Sequence, residues 1–247
     1  MLARKSGGSP SCGLALLFLV VALVVGIMCY HTEKPHGILA RLNYCTTTID
    51  MGSGSFRVVP ILAHMEQDER FEDLISRAKP YAAITGTFYG PESRPLGDVL
   101  VDGKLACRGF QRQGIGFTRS GKIVFVERRG SSRIDWTGCY AGVACGPRLL
   151  RNGKIDINVR RDGFIASAAN IEATRCAVGA TKDGKLVMLA IRQSVTLHTV
   201  AQAMKELGAV DAVNMDGGAL CAFYADGECK AQPIRPMSNI IAIYKVK

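Results

Sequence analysis

The chain has 247 residues, a formal net charge of +10 and 48% hydrophobic residues, enough apolar material for one sizeable domain or at most two small ones. Its basic residues are scattered with no run of five. No helix-turn-helix, zinc-finger or aromatic-interleaved pattern accompanies them, which argues against nucleic-acid recognition and leaves anionic ligands such as phosphate or a membrane surface.

Arg4 and Lys5 precede the apolar stretch Gly13 to Tyr30, and no charge falls between Lys5 and Glu33. A positive flank before a long apolar run marks an exported chain, with either a signal peptide or an uncleaved membrane anchor over 1–30. The run is longer than a usual signal core, and "VVGIMCY" has no small-x-small cleavage site. Both features favour an anchor, with the domain facing the periplasm or the extracellular space; cleavage would make it a secreted protein. Residues 31–42 read as a tether and 43–247 as one folded domain.

Within that domain, "MEQDERFEDLISRAK", 65–79, predicts a helix with Phe71, Leu74, Ile75 and Ala78 on one face, ended by Pro80. Its acids read as a solvated face. Turn signals of the form x-[DN]-G-K then recur between apolar runs, at 99–106, 149–155 and 180–189, with a looser copy, "FYADGEC", at 223–229. Asp-Gly and Asn-Gly supply the positive φ that tight hairpins need, so each predicts a hairpin. "GFTRSGKIVFV" at 116–126 aligns with "GATKDGKLVML" at 179–189, which raises two related β units as one reading and the general likeness of hairpins as the other. "TLHTVAQAMKELG" predicts a second helix, capped by Thr196, closed by Gly208, with Leu197, Val200, Ala201, Met204 and Leu207 as its stripe. A strand over 209–215 follows. Two helices among hairpin-rich, mixed β-sheets predict an α+β domain.

Nine cysteines suit an exported domain. Cys139 with Cys145, and Cys221 with Cys229, are the neighbours in sequence. The separation of eight between Cys221 and Cys229 puts both on one face of a regular two-strand ladder, so this pair is expected to form a disulfide after export. No pair forms a CxxC, and His31, His36, His64 and His198 are dispersed. Zinc-ligand spacing is therefore absent and no cofactor is expected.

The segment "AVNMDGGALC", Ala212 to Cys221, concentrates the chemistry. An apolar strand runs into Asp216, and Gly217 and Gly218 follow. A carboxylate at a strand end can act as acid, base or nucleophile on a rigid backbone, and the glycines allow positive φ and close approach of a ligand. The same three residues also make a good β-turn. Asp102, Asp183 and Asp226 sit in the hairpin signals and read as turn formers.

From about Ala82 to Tyr244 the chain resembles the phosphodiester glycosidase family. The matching stretches, in order, include "AAITGTFYG", "LGDVLVDGKL", "CGPRLLRNGKI", "TRCAVGATKDGKLVML", "TLHTVAQAMKELGAVDAVNMDGG" and "RPMSNIIAIY". The resemblance implies a hydrolase that cleaves the sugar–phosphate linkage of a glycosyl-1-phosphodiester on an envelope or extracellular glycan. That reaction needs a carboxylate near the anomeric carbon, for which Asp216 is suited, and cationic or amide donors for the phosphate, for which Arg175 and Arg235 are suited. Asp98 and Glu172 are the candidates for a second carboxylate. Thr85, Gly86, Gly217 and Gly218 complete the expected substrate-binding set. Arg175 also reads as a surface partner of Glu172, Arg235 as a loop clamp and Asp98 as a turn cap.

The chain departs from the family pattern twice. Thr85-Gly86-Thr87-Phe88 stands where the family has Asn-Gly-x-Phe, and Ala219-Leu220-Cys221 where it continues Gly-Ser-Ser/Thr. These changes replace an amide and remove hydroxyl donors near the expected site. They motivate a rival reading, a catalytically weak module that binds glycan or phosphate; an exopolysaccharide-assembly factor on the same fold is a third.

Overall fold

The computed structural model describes residues 37–64 and 67–246. The expected anchor over 1–30 and the first half of the tether lie outside the described residues. Among the described residues, no helix is long and apolar enough to cross a membrane.

The hairpins form where the turn signals stand. β4 (Val99–Val101) and β5 (Lys104–Cys107) are joined by Asp102 and Gly103 at φ +47° and +76°. β9 (Arg148–Arg151) and β10 (Lys154–Ile155) are joined by Asn152 and Gly153 at +49° and +75°. Two consecutive positive φ values give the turn whose twist matches that of the strands. β14 (Phe223–Ala225) and β15 (Glu228–Ala231) use Asp226 and Gly227 in the same way. The turn between β11 (Ala173–Thr181) and β12 (Lys185–Val195) is built differently: Thr181 Oγ1 accepts from Lys185 N at 3.0 Å. Between β6 (Gln113–Thr118) and β7 (Ile123–Glu127), Thr118 Oγ1 accepts from Lys122 N at 3.0 Å. The two aligned segments therefore share one turn design. Their settings differ, because β7 is a sheet edge and β11 and β12 are internal.

The remaining strands are β1 (Tyr44–Asp50), β2 (Phe56–Leu62), β3 (Ala82–Thr85), β8 (Cys139–Cys145), β13 (Ala209–Asn214) and β16 (Asn239–Lys245). They complete three sheets, ordered β1-β12-β11-β13-β9-β10, β15-β14-β3-β16-β2 and β5-β4-β8-β6-β7. The pairings are antiparallel, so the expected mixed sheets are corrected to antiparallel ones. With α-helices only at α1 (Phe71–Ala78) and α2 (Leu197–Glu206) among the described residues, the fold is mostly β. The connection through α2 explains why no parallel pair arises there. It leads from β12 to β13, which flank β11, each antiparallel to it.

Side-chain alternation assigns the two faces of each sheet. On β12, Leu186, Met188 and Ala190 join a core to which all three sheets contribute, with Ile115 and Val143 from one and Ile84 and Ile241 from another. Val187, Leu189 and Ile191 point the other way and pack with Val200, Ala201 and Met204 of α2. The same division holds on β3, where Ala82 and Ile84 face the common core and Ala83 packs with Phe71 and Leu74 of α1.

α2 begins as expected. Thr196 is its N-cap, with Oγ1 accepting from Thr199 N at 3.4 Å. Thr196→Ala is expected to lower stability by about 1 kcal/mol, read as a lower urea midpoint at unchanged slope. An unchanged midpoint would mean that the cap bond contributes nothing. α1 is shorter than the expected 65–79. Glu69 instead pairs with Met237 through backbone bonds of 3.0 and 2.8 Å, and Arg70 before the helix is extended, so the helix starts at Phe71. Lys79 then takes a left-handed conformation ahead of Pro80.

The disulfide expected between Cys221 and Cys229 is corrected. Tyr224, not Cys221, lies opposite Cys229, across an irregular register, and Cys221 precedes β14 in a buried turn while Cys229 is exposed. Cys139 and Cys145 sit at opposite ends of β8. The seven cysteines of the described residues are free thiols.

Candidate active site

Asp216 lies just past the end of β13, where the six-stranded sheet meets the sheet containing β3. Met215 N donates to Cys176 O at 2.8 Å on β11, and Asp216 N donates to Gly86 O at 3.1 Å just beyond β3. Two sheets thus hold consecutive residues of the strand end, which fixes the carboxylate more firmly than a free loop would. The chain then turns through a short 3-10 segment, Gly218–Leu220. Thr174 Oγ1 donates to Gly218 O at 2.7 Å and Ile234 N donates to Ala219 O at 2.9 Å.

Asp216 lines a cleft of about 530 Å³. Its walls are aromatic: Phe88 and Phe164 meet edge to face at 5.7 Å, and Tyr89 stands beside them. Arg235 and Gln111 provide polar groups, and Gly217, Ala219 and Leu220 form the strap along one side. The Arg235 guanidinium lies 5.6 Å from the centre of the Tyr89 ring, and the Tyr89 hydroxyl donates to Pro236 O at 2.7 Å. A slightly larger hollow of about 540 Å³, lined by Arg94, Cys107 and Arg108, contains neither Asp216 nor Arg235, and its acid, Glu92, is exposed.

Asp216 is 9% exposed. Burial pushes its carboxyl up from 3.8 to about 6, against the Gly217 N–H at 2.8 Å and the positive charge of Arg235, which both pull it down. Desolvation outweighs both attractions. A carboxyl raised to about 6 in an aromatic cleft can exchange a proton close to neutral pH, a property of general acids and bases.

The structure brings Asp216, Gly217 and Arg235 to this cleft and sends the other expected residues elsewhere. Arg175 turns its guanidinium to carbonyl oxygens, those of Ile171 and Val195. Glu172 is exposed in the loop before β11, and the hydrogen bonds of Arg175 go to the backbone and not to it. Asp98 is a buried clamp: Oδ1 accepts from Gly109 N at 2.9 Å and Oδ2 from Trp136 Nε1 at 3.0 Å. Thr85 spends its hydroxyl inside the protein, donating to Leu220 O at 2.6 Å and accepting from Ala222 N at 2.9 Å. Gly86 contributes its carbonyl to Asp216 N and leaves room for Asn239, whose Oδ1 accepts from Thr87 N at 2.7 Å.

The two glycines after Asp216 differ in role. Gly218 has φ +58°, so it carries the left-handed conformation. Gly217 is extended, at φ −157°, and is glycine because of space: a Cβ there would sit 2.6 Å from Thr174 O. The expectation that both supply positive φ is corrected accordingly. Gly217→Val is expected to force the strap off β11, lowering stability by about 1–3 kcal/mol and reshaping the cleft. The check is thermal melting with ligand titration; an unchanged Tm would show that the backbone relaxes freely.

The cleft aromatics carry no signal of their own in the sequence. Phe88 and Tyr89 lie inside "AAITGTFYG", but aromatic residues after a strand are common in any β-rich chain. Phe164 is distant in sequence from both, and only the fold brings it across.

Comparison with known proteins agrees with this architecture. A family model described as "Phosphodiester glycosidase" matches residues 78–244. The N-acetylglucosamine-1-phosphodiester alpha-N-acetylglucosaminidase of Mus musculus is 26% identical over 155 residues, 56% of this chain and 30% of that protein. The Homo sapiens protein of the same name is 24% identical over 180 residues, 66% of this chain and 35% of that protein. The chain therefore spans about a third of the length of these curated relatives. Among solved structures, the zebrafish catalytic domain of that enzyme, auto-inhibited by its pro-peptide, superposes with a TM-score of 0.68 at 22% identity, covering 83% of each chain. A hypothetical protein from Synechocystis superposes at 0.74 with 15% identity, covering 83% of this chain and 59% of that one. A putative exported protein from Burkholderia pseudomallei superposes at 0.62 with 13% identity, covering 81% of this chain and 73% of that one.

Proposed function

The chain belongs to the phosphodiester glycosidase family, and from that premise we propose that it hydrolyses a glycosyl-1-phosphodiester of an envelope or extracellular glycan in the cleft around Asp216. The observation that carries the reading is the pairing of a buried carboxyl, raised to about 6, with the cation of Arg235 in one aromatic-walled cleft. Phe88, Tyr89 and Phe164 offer apolar faces to the underside of a sugar ring. Asp216, ionised, stabilises or attacks the anomeric carbon as positive charge develops there. Arg235 faces the phosphate and takes up the charge that appears as the sugar–oxygen bond breaks.

A single carboxylate suffices chemically. An alkoxide leaving group needs a proton from a second acid, whereas a phosphomonoester leaves as a stable anion, so a cation beside it does the work of the missing acid. Asp216 is the one acid among the described residues that line the cleft, which is consistent with a phosphate aglycone and inconsistent with an ordinary two-carboxylate glycosidase. Export, with the domain held outside by residues 1–30, belongs to the same proposal.

The test is turnover of a synthetic glycosyl-1-phosphodiester, followed by release of the phosphomonoester. Arg235→Ala is expected to reduce kcat/KM by about 10²-fold, with a smaller loss when a less phosphate-like leaving group is used. Equal losses on both substrates would remove Arg235 from the leaving-group side. A second reading, a module that binds phosphorylated glycan without cleaving it, is favoured by one feature. Ala219 and Leu220 present apolar groups at the strap, where no side-chain donor supports a transition state. Saturable binding of the diester with no product after prolonged incubation would select it.

A further inference from the structure

Behind the strap, on the side away from Asp216, two thiols meet in the core. Cys176 on β11 and Cys221 at the end of the 3-10 segment are 45 positions apart in sequence, and their sulfurs are 3.4 Å apart. Closing that gap to the roughly 2.05 Å of a disulfide needs an approach of little more than about 1 Å. The two thiols are placed unequally. Cys176 is fully buried, with Thr85 Oγ1 at 3.6 Å. Cys221 lines a separate pocket of about 450 Å³ that Arg192, Thr174, Ser194 and Gln232 also line. Cys221, though only 6% exposed, thus borders a space that a small molecule can enter, and Cys176 does not line it.

We propose that Cys176 and Cys221 form a redox-active pair, a modification site that a small peroxide entering the pocket beside Arg192 converts to a disulfide. Cys221 is the sulfur attacked first: the hydrogen bond from Cys176 holds its thiol below the ordinary range, with Thr174 and Arg192 acting in the same direction against burial. Burial holds Cys176 well above that range, which suits the resolving thiol. The Cys221 thiolate attacks one peroxide oxygen and the O–O bond breaks. The departing oxygen takes up a proton and leaves as water, or as an alcohol from an alkyl peroxide. Cys221 is left as the sulfenic acid. The Cys176 sulfur then attacks the Cys221 sulfur, the S–O bond breaks, and the oxygen leaves as water with the proton of Cys176. The two thiols lose two electrons and two protons, and the peroxide is reduced by the same two electrons.

The bond would tie β11 to the strap that runs from Asp216, so its formation also fixes one wall of the cleft. The pair itself does not depend on the hydrolase reading, and its test reads sulfur chemistry and not turnover.

The experiment exposes the reduced full-length protein to stoichiometric hydrogen peroxide, blocks remaining thiols under denaturing conditions and maps the peptides. The expected result is a Cys176–Cys221 cross-linked peptide in most molecules, reversed by a thiol reductant, with a Tm several degrees higher in the oxidised protein. Cys176→Ser, which keeps the shape, is expected to abolish the link and leave a sulfenic acid on Cys221 that a dione probe captures. If Cys176→Ser does not fold, Cys221→Ser serves, with Cys176 then expected to resist peroxide entirely. Alkylation of both thiols to the same extent with and without peroxide overturns the proposal, as does a cross-link from Cys221 to Cys45 or oxidation confined to Cys229.

Discussion

Asp216→Asn is expected to fold, to gain stability at neutral pH and to lose hydrolysis almost completely. The amide keeps the shape and an oxygen for the Gly217 N–H, which Asp216 Oδ1 accepts at 2.8 Å. It removes the one carboxylate that lines the cleft among the described residues. The expected fall in kcat is about 10³-fold or more, roughly 4 kcal/mol of barrier. The stability change has the opposite sign. The folded-state value of about 6 lies above the ordinary 3.8, so between these values the folded chain holds a proton that the unfolded chain has released. The stability which that proton confers is complete below the unfolded value and is lost as pH rises through about 6. The amide variant, never charged at this position, escapes that loss and is expected to be more stable at pH 7 by up to about 3 kcal/mol. The wild-type rate should in turn rise with pH through about 6 as the carboxylate ionises. Near-full activity in the folded variant would end the catalytic reading. A variant that fails to fold would show that Asp216 holds the chain and not the sugar.

Asp162→Ala is expected to cost about 3–5 kcal/mol, the largest stability loss predicted for this protein. The Asp162 side chain is fully buried. It accepts from Gln113 Nε2 at 2.8 Å, Arg148 N at 2.9 Å and Arg161 Nε at 2.8 Å. Truncation leaves buried donors on β6 and β9 with no acceptor, and each unpaired group carries its full desolvation penalty. The loss reaches the cleft as well, because the loop that Asp162 anchors delivers Phe164, whose ring meets Phe88 at 5.7 Å. Urea unfolding at neutral pH, paired with substrate titration, measures both. A change in stability below about 1 kcal/mol would show that water replaces the carboxylate.

The local elements are legible because their signals are local. Asp-Gly and Asn-Gly at 102–103, 152–153 and 226–227 mark turns whose conformation few other pairs adopt. Thr196 caps α2 with a bond to a residue three positions on. The stripe Leu197, Val200, Ala201 and Met204 is buried as its spacing requires. α1 falls short of its expected start because the upstream acids satisfy helical propensity equally well, and only the distant Met237 backbone draws Glu69 into a bridge.

The sequence by itself determined the hairpins, the helix stripes, the family and the position of Asp216 at a strand end. It determined these because each is carried by near neighbours or by an ordered set of motifs. Which charged groups share the cleft was decided by the tertiary structure alone. Arg175 and Arg235 look equivalent as motif residues, yet the β11 backbone turns Arg175 towards the carbonyls of Ile171 and Val195, while the 234–236 loop sets Arg235 beside Tyr89 in the cleft. Cysteine pairing follows the same rule. Spacing put Cys221 with Cys229, but an irregular β14–β15 register separates them, and the meeting of two sheets sets Cys221 against Cys176. Side-chain period along one strand is a property of the chain, whereas contact between strands depends on register and sheet order. Both are settled only when the three sheets close on a common core.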